Sequence, residues 1–163
     1  MIRKSDVSDS EAIANIYNYY IKNTIITFEE KELTPDEISG RIENVFSESL
    51  PWIVAENRGK VIGYAYATKW KTRSAYRFSV ESTVYLEQTS VGNGIGSMLY
   101  NELLSLLKDS GIHAVIGGIA LPNPSSIALH EKFGFKQVAR FKEVGIKFGK
   151  WIDVGYWQLQ FDS

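Results

Sequence analysis

The sequence predicts an α+β (mixed α/β) fold, in which helices flank both faces of a central, mostly antiparallel sheet. Three observations support this prediction. Apolar residues recur at helical spacing before residue 50, strand-like runs follow from residue 52, and a glycine-rich turn at 91–96 precedes a further helical pattern. The 163 residues contain no repeat and no linker rich in proline, glycine and serine, so residues 1–163 are predicted to form a single domain.

The first half of the chain combines a short strand with two helices. Residues 2–4 are predicted as the strand. Ser8 and Glu11 have the spacing of a capping box before the first helix, and Thr34 followed by Pro35 begins the second. Between the helices, residues 23–32 form a polar segment that includes Phe28. Such loops often carry function.

The second half is predicted to alternate between strands and helices. A hairpin turn at 57–60 separates two of the strands, Gly111 ends the helix that follows the glycine turn, and Ser125 or Ser126 caps a short helix after Pro124. A single parallel step is expected, joined by the helix near 97–109. The predicted strands cover residues 52–56, 61–68, 80–86, 114–120, 136–144 and 152–161.

The composition excludes several classes of protein. A formal net charge of −1 gives no electrostatic reason to expect binding to nucleic acid or to an acidic membrane. The absence of cysteine excludes disulfides, thiolate metal sites and a cysteine nucleophile, and no metal site is predicted. No segment resembles a signal peptide or a membrane span, so we expect a cytoplasmic protein.

The glycine-rich turn has the features of an anion site. A helix N-terminus presents amide donors and partial positive charge, and glycines allow a phosphate to approach the backbone. The turn lacks the lysine and Ser/Thr of a nucleotide-hydrolase phosphate loop, and it has Ser97 where a dinucleotide fingerprint has its third glycine. A plain strand-to-helix turn remains the alternative. The candidate cradle comprises Val91, Gly92, Asn93, Gly94, Ile95, Gly96 and Ser97.

With Gly94 and Gly96 in the glycine positions of its acyl-CoA turn, the sequence resembles the GNAT acetyltransferases. Val91 departs from the Gln or Arg usual in that family, which removes a side-chain contact and leaves the backbone cradle. Further segments, including 70–76, 80–85, 121–123, 130–135 and 145–159, resemble the branch that acetylates phosphinothricin and methionine sulfoximine. The resemblance implies acetyl-CoA as cosubstrate, a small-molecule amine as acceptor, direct attack in a ternary complex, and a homodimer.

Glu81 is the candidate general base. It lies on an otherwise apolar strand just before the glycine turn, where partial burial would raise its pKa toward the useful range. The resemblance also implies a base at this position, and a surface carboxylate on an edge strand is the alternative. His130 lies where many GNAT enzymes have the residue that protonates the leaving thiolate, although a structural histidine is equally compatible with the sequence.

The remaining candidates are residues predicted to contact either acetyl-CoA or the acceptor amine. The resemblance implies that the backbone of Val84, Tyr85 and Leu86 binds the pantetheine arm. Asn123 and Ser126 are candidates for contacts with the coenzyme, although each could simply serve a turn or a helix cap. Arg73 is the first choice to anchor an acceptor carboxylate, because a guanidinium can form two parallel hydrogen bonds. The other acceptor-side candidates are Phe28, Glu29, Lys71, Thr72, Tyr76, Ser82 and Thr83.

Two other functions remain open at this point. The acceptor could be a protein N-terminus or a polyamine, although Arg73 disfavours a polycationic substrate. The chain could also be a CoA-binding regulatory module without catalysis, which would bind acetyl-CoA and transfer nothing.

Overall fold

A computed structural model describes residues 1–162, and the elements follow the predicted order. They are β1 (Ile2–Lys4), α1 (Ser10–Asn23), α2 (Pro35–Ser47), β2 (Trp52–Asn57), β3 (Lys60–Lys69), β4 (Ser79–Leu86), α3 (Ile95–Asp109), β5 (Ala114–Ala120), α4 (Pro124–Lys132), β6 (Lys136–Lys147) and β7 (Lys150–Gln160). The two late strands are longer than predicted. Within the described residues, no helix has both the length and the apolar character needed to cross a membrane.

The strands form one sheet in the order β1-β2-β3-β4-β5-β7-β6. Among the pairs whose register is described, only β4 with β5 is parallel. This parallel pair is the predicted one. The helix α3 lies between β4 and β5 in the chain, and as a crossover connection it allows β5 to run in the same direction as β4. The parallel ladder joins Ser79, Val80 and Glu81 to residues 114–116 and ends there, whereas β4 continues to Leu86.

Two helix starts differ from the prediction. A short 3-10 turn at Val7–Asp9 precedes α1, and it is capped by Asp6 and not by Ser8: the Asp6 carboxylate accepts a hydrogen bond from the Ser8 amide, and the Asp9 carboxylate accepts one from the Asp6 amide. A carboxylate accepts only, so it suits the unpaired amides of a helix start. The α4 helix is capped by Asn123, and not by either serine, because its side-chain oxygen accepts from the Ser126 amide at 3.2 Å.

The chain divides into two compact units. Unit 1 comprises Met1–Asn18, Leu33–Thr68 and Ser82–Gly111, and unit 2 comprises Tyr19–Glu32, Lys69–Glu81 and the chain from Ile112 onward. The assignment of the whole chain to a single domain stays a prediction.

The core of unit 1 is formed by the apolar faces of its helices and by aromatic residues of its strands. The predicted stripe of α2 is buried through Ile38, Ile42 and Val45, and Trp52 stacks on Tyr66 with ring centroids 4.0 Å apart. The helix α3 buries Leu99, Tyr100, Leu103 and Leu107. This apolar face orients α3 and therefore fixes the glycine turn at its N-terminus.

Unit 2 contains β5, β7 and β6 in an antiparallel arrangement, together with the parallel start of β4. Gly118 on β5 lies opposite Tyr156 on β7. Burial of Val115, Ile119 and Trp157 forms the core of this unit. The register thereby sets which side chains share a face with Glu81.

Candidate active site

The glycine turn in unit 1 has an open backbone. Gly92 and Gly94 have φ angles of +90° and +79°, and a Cβ placed on either would meet no atom within 4 Å. Gly94 is the N-cap of α3 and makes no side-chain cap hydrogen bond. Residues 91–94 are exposed, and Val91 retains 55% of its accessible surface. Because the first amides of a helix need external acceptors, this turn suits the anionic pyrophosphate of a coenzyme.

The side chains of β4, the strand that leads into the turn, alternate between the two faces of the sheet. Tyr85 packs its ring against Tyr17 and Tyr64, with centroids 5.1 and 5.8 Å away, and Val84 and Leu86 are half-buried. Ser82 is buried, and its hydroxyl lies 2.5 Å from the hydroxyl of Tyr100. Successive strand residues face opposite sides of a sheet, so Ser82 points into the core of unit 1 while Thr83 takes the other side. We therefore leave Ser82 out of the acceptor site.

Glu81 in unit 2 lies beside an exposed glycine in a central strand. A Cβ on Gly118 would be 3.4 Å from Glu81 Oε2 and 3.1 Å from Tyr156 Cε1. The Glu81 carboxylate and the Tyr156 ring therefore both lie close to the Cα atom of Gly118, which carries no side chain. Burial raises the pKa of Glu81, and the positive charge of Lys71 partly opposes this shift. A half-buried carboxylate with a raised pKa can accept a proton near neutral pH.

Aromatic side chains pack against Tyr156, the residue that lies beside Glu81. Trp70 and Phe141 contact Tyr156 edge-on, with ring centroids 5.7 and 5.8 Å apart. Burial raises the pKa of Tyr156, and the nearby Glu81 charge raises it further, so the phenol stays protonated. The Lys71 ammonium lies 4.8 Å from the centre of the Trp70 ring. The arrangement combines an apolar wall, a carboxyl group with a raised pKa and a cation within one unit.

The loop before β4 carries the predicted carboxylate anchor. Arg73 precedes a short 3-10 turn at Ser74–Tyr76, and Lys71, Thr72, Arg73 and Tyr76 are exposed. Arg73 forms no salt bridge with any residue that the structure describes. Its guanidinium is therefore available for an acidic ligand.

Phe28 and Glu29 belong to the segment 24–32 of unit 2. The Phe28 ring is 40% exposed, and its other edge lies against Gly145 of β6. The Glu29 amide donates to Thr27 Oγ1 at 3.2 Å, which bends the segment at this point. Phe28 is thus partly exposed, and it lies in the segment between α1 and α2 that was predicted to carry function.

His130 is buried on α4, with 4% of its surface exposed. Its Nδ1 lies 2.7 Å from the carbonyl oxygen of Ser126, and its ring packs edge-on against Phe135. A carbonyl only accepts, so Nδ1 carries the proton. Burial lowers the pKa of His130, which keeps the ring neutral at pH 7. A neutral imidazole whose Nδ1 proton is engaged in this way is poorly suited to protonate a thiolate.

Asn123 and Ser126 both serve α4 through their local contacts. The Asn123 side-chain oxygen is occupied by the Ser126 amide, and Ser126 Oγ lies 3.4 Å from His130 Nδ1. These contacts support the helix-cap interpretation of Asn123. They leave the predicted coenzyme contacts of both residues as predictions.

Comparison with known proteins identifies the family. Residues 2–155 match the model of the acetyltransferase (GNAT) domain. The chain belongs to the GNAT acetyltransferase family. This membership confirms the predicted mixed α/β fold and the predicted enzyme class, and with it acetyl-CoA as the cosubstrate.

Two curated relatives match this GNAT chain over nearly its whole length. A phosphinothricin N-acetyltransferase of Streptomyces viridochromogenes is 39% identical over 99% of this chain and 87% of its own. An L-methionine sulfoximine/L-methionine sulfone acetyltransferase of Salmonella typhimurium is 34% identical over 99% of this chain and 95% of its own. The expected branch of the family is thereby confirmed.

Two solved GNAT structures superpose closely. The crystal structure of a ribosomal-protein-alanine N-acetyltransferase from Brucella melitensis has a TM-score of 0.97 at 34% identity and covers 99% of both chains. A phosphinothricin acetyltransferase from Sinorhizobium meliloti, in complex with AcCoA, has a TM-score of 0.95 at 36% identity, with coverage of 98% of this chain and 87% of that one.

Three residues near or packed beside the Glu81 carboxylate had no role predicted from the sequence. The register of β4, β5 and β7 brings Gly118 and Tyr156 beside Glu81, and Trp70 contacts the Tyr156 ring. A signal for Gly118 was present, since a glycine inside a strand often marks a close approach of another group. Tyr156 gave no such signal, because an aromatic residue in a late strand is equally typical of a core.

Proposed function

We propose that this GNAT enzyme transfers the acetyl group of acetyl-CoA to the amine of a small amino-acid-like acceptor, of the phosphinothricin or methionine sulfoximine type. The observation that carries the proposal is the half-buried Glu81 carboxylate, which lies beside exposed Gly118 and next to Tyr156. The names of the two curated relatives support this class of acceptor.

The chemistry requires a base at the amine. Acetyl-CoA supplies the acetyl group, and CoA departs as a thiolate once the new C–N bond replaces the C–S bond. Glu81 accepts the proton that the amine must lose, either directly or through one water molecule. The raised pKa of Glu81 makes it a stronger base than an exposed glutamate, so it accepts this proton more readily.

The donor side depends on main-chain groups. The turn at 91–96, exposed over residues 91–94, would hold the pyrophosphate through the amides at the start of α3, which have no side-chain cap at Gly94. The backbone of Val84, Tyr85 and Leu86 is proposed to bind the pantetheine arm. The end of the β4–β5 ladder at Glu81 supports this assignment, because β4 continues beyond its parallel pairing.

The acceptor carboxylate is proposed to bind Arg73. An exposed guanidinium with no ion-pair partner among the described residues can form a bidentate pair with a carboxylate. Lys71 adds positive charge near Glu81, which favours an anionic acceptor over a polyamine. Phe28, Glu29, Thr72, Tyr76 and Thr83 are proposed to complete the acceptor side.

His130 is proposed as a residue that packs α4 in unit 2. Its burial and its hydrogen bond to Ser126 support a neutral ring with the proton held on Nδ1. Solvent water is then the source of the thiolate proton. This proposal replaces the expectation that His130 acts as the general acid.

The enzyme is also proposed to be a cytoplasmic homodimer. The β6–β7 hairpin exposes apolar side chains that a partner subunit could cover, and these are Phe141, Val144, Ile146, Phe148 and Trp151, each more than half exposed. Light scattering on the purified protein should give twice the mass of 18.4 kDa. A monomer at micromolar concentration would contradict the proposed dimer.

The activity is tested by release of free CoA thiol from acetyl-CoA with a panel of amines. Phosphinothricin and methionine sulfoximine should give the highest kcat/KM, and the same molecules with a blocked α-amine should give none. Preference for a peptide N-terminus would favour a protein acceptor. Tight binding of acetyl-CoA without turnover on any amine would favour a regulatory module and contradict the proposal.

A further inference from the structure

A lysine is buried where a strand meets the segment 24–32, here called the acceptor loop. Lys147, at the end of β6, is only 2% exposed, and its Nζ donates a hydrogen bond of 2.8 Å to the carbonyl oxygen of Thr27. Among the described residues it is the only buried lysine or arginine. Burial lowers the pKa of Lys147, and the negative charges of Glu30 and Glu29 partly oppose this shift.

The same strand holds the acceptor loop at a second point. A Cβ on Gly145 would overlap Cε2 of Phe28 and would lie 2.6 Å from its Cζ. The ring therefore occupies the space that any larger residue at position 145 would need. Gly145 and Lys147 are two residues apart and so project to the same face of β6. One face of the strand thus contacts two consecutive residues of the loop, Thr27 and Phe28.

The cost of burying an ammonium indicates what this contact is for. A buried charge loses hydration, and well-packed apolar residues often give equal or greater stability. Lys147 is therefore a poor choice for stability alone. A charge-assisted hydrogen bond to one carbonyl, however, specifies the position of the loop backbone more sharply than apolar packing does.

We propose that Lys147 and Gly145 are positioning residues that hold the acceptor loop and thereby set the enzyme's affinity for the amine. Lys147 fixes the backbone at Thr27, and Gly145 provides the seat for the Phe28 ring. The exposed part of that ring then forms a preorganised wall for the acceptor. The role in affinity rests on the proposed function, whereas the holding of the loop does not.

The central experiment compares Lys147→Met with Lys150→Met. Lys150 pairs with Lys147 across the hairpin and is exposed, so it is a matched control. Lys147→Met should raise KM for the amine about tenfold or more, in line with the loss of one charge-assisted hydrogen bond. The KM for acetyl-CoA should stay unchanged, and Lys150→Met should resemble the wild type in both constants.

Hydrogen exchange provides a readout that does not require turnover. In Lys147→Met, peptides covering residues 24–32 should exchange faster than in the wild type, while peptides from β5 and β7 keep their protection. Faster exchange throughout the protein would show a general loss of stability and overturn the proposal. Unchanged exchange in the loop would do the same. Absence of turnover in the wild type would instead contradict the proposed function.

Gly145→Ala tests the second contact, and it serves as an independent variant if Lys147→Met does not fold. Gly145 does not have a positive φ, so alanine adds a methyl group without backbone strain. That methyl displaces the Phe28 ring, and we expect a higher KM for the amine with the KM for acetyl-CoA unchanged. An equal rise in both constants, or no rise in either, would overturn the proposed role of Gly145.

Discussion

Replacement of Glu81 by glutamine tests the proposed base with little change in shape. The amide has the same size as the carboxyl group, so the contacts beside Gly118 and Tyr156 are kept. The variant cannot accept the amine proton. General base catalysis typically contributes about 10²- to 10⁴-fold, and we expect kcat/KM at pH 7 to fall within that range.

The pH dependence sharpens this prediction. In the wild type, kcat/KM should rise with pH as Glu81 loses its proton, and burial moves this rise above the pH at which an exposed glutamate titrates. In Glu81→Gln that limb should disappear, and the deficit should shrink at high pH, where the amine is already deprotonated. The measurement is thiol release at saturating acetyl-CoA, with kcat/KM for the amine taken at each pH.

Glu81→Gln should lower activity without lowering the stability of the folded protein. A carboxyl group whose pKa is raised by folding contributes most to stability below its unfolded pKa, and this contribution is lost as pH rises through the folded pKa. The charged form therefore costs stability near neutral pH. Glu81→Gln should have an unfolding temperature equal to or above that of the wild type at pH 7 to 8, so a loss of activity cannot be attributed to unfolding.

An exposed glutamate on α2 provides the control. Glu43→Gln removes the same charge from an exposed position on α2 and should leave both the rate and the pH profile unchanged. The reasoning would be refuted if Glu81→Gln kept the wild-type pH profile with only a few-fold loss of rate. It would also be refuted if Glu43→Gln produced the same loss.

Three further predictions follow from the geometry. Gly94→Ala should raise KM for acetyl-CoA and cost about 1 kcal/mol of stability, because a φ of +79° strains any residue with a Cβ. Gly59→Ala, at φ +78° in the β2–β3 turn, should lose similar stability with no change in that KM, and equal KM values in the two variants would argue against the cradle. Gly118→Val should lower kcat/KM for the amine by about 10- to 100-fold, since its side chain would meet both Glu81 and Tyr156, and an unchanged value would remove Gly118 from the acceptor site. His130→Asn should keep kcat within about tenfold of the wild type if the ring only packs, whereas the 10²-fold or greater loss expected of a general acid would restore His130 as a catalytic residue. Because the pKa of His130 is lowered by folding, the wild type should also lose stability as pH falls below about 6.5, and thermal unfolding should show a smaller loss in His130→Asn.

Local chemistry in the sequence was sufficient to predict most of the elements. The helix start at Thr34 and Pro35, the turn at 57–60 and the cap at Gly111 all involve residues within a few positions of one another. The errors were also local. Asp6 caps the 3-10 turn that leads into α1, and Asn123 caps α4, where serines were expected. Several side chains near each start could accept the same amide, and only the path of the backbone selects one.

From the sequence came an anion-binding glycine turn and a candidate carboxylate on the strand before it, and the resemblance of further segments to the GNAT family indicated acetyl transfer. The surroundings of that glutamate could not be predicted, because they depend on how distant segments pack. The register across β4, β5 and β7 brings Gly118 and Tyr156 beside Glu81, although they lie far apart in the chain. Burial decided the states of Ser82, His130 and Lys147, because the loss of water around a polar group depends on packing from distant segments and not on its neighbours in sequence.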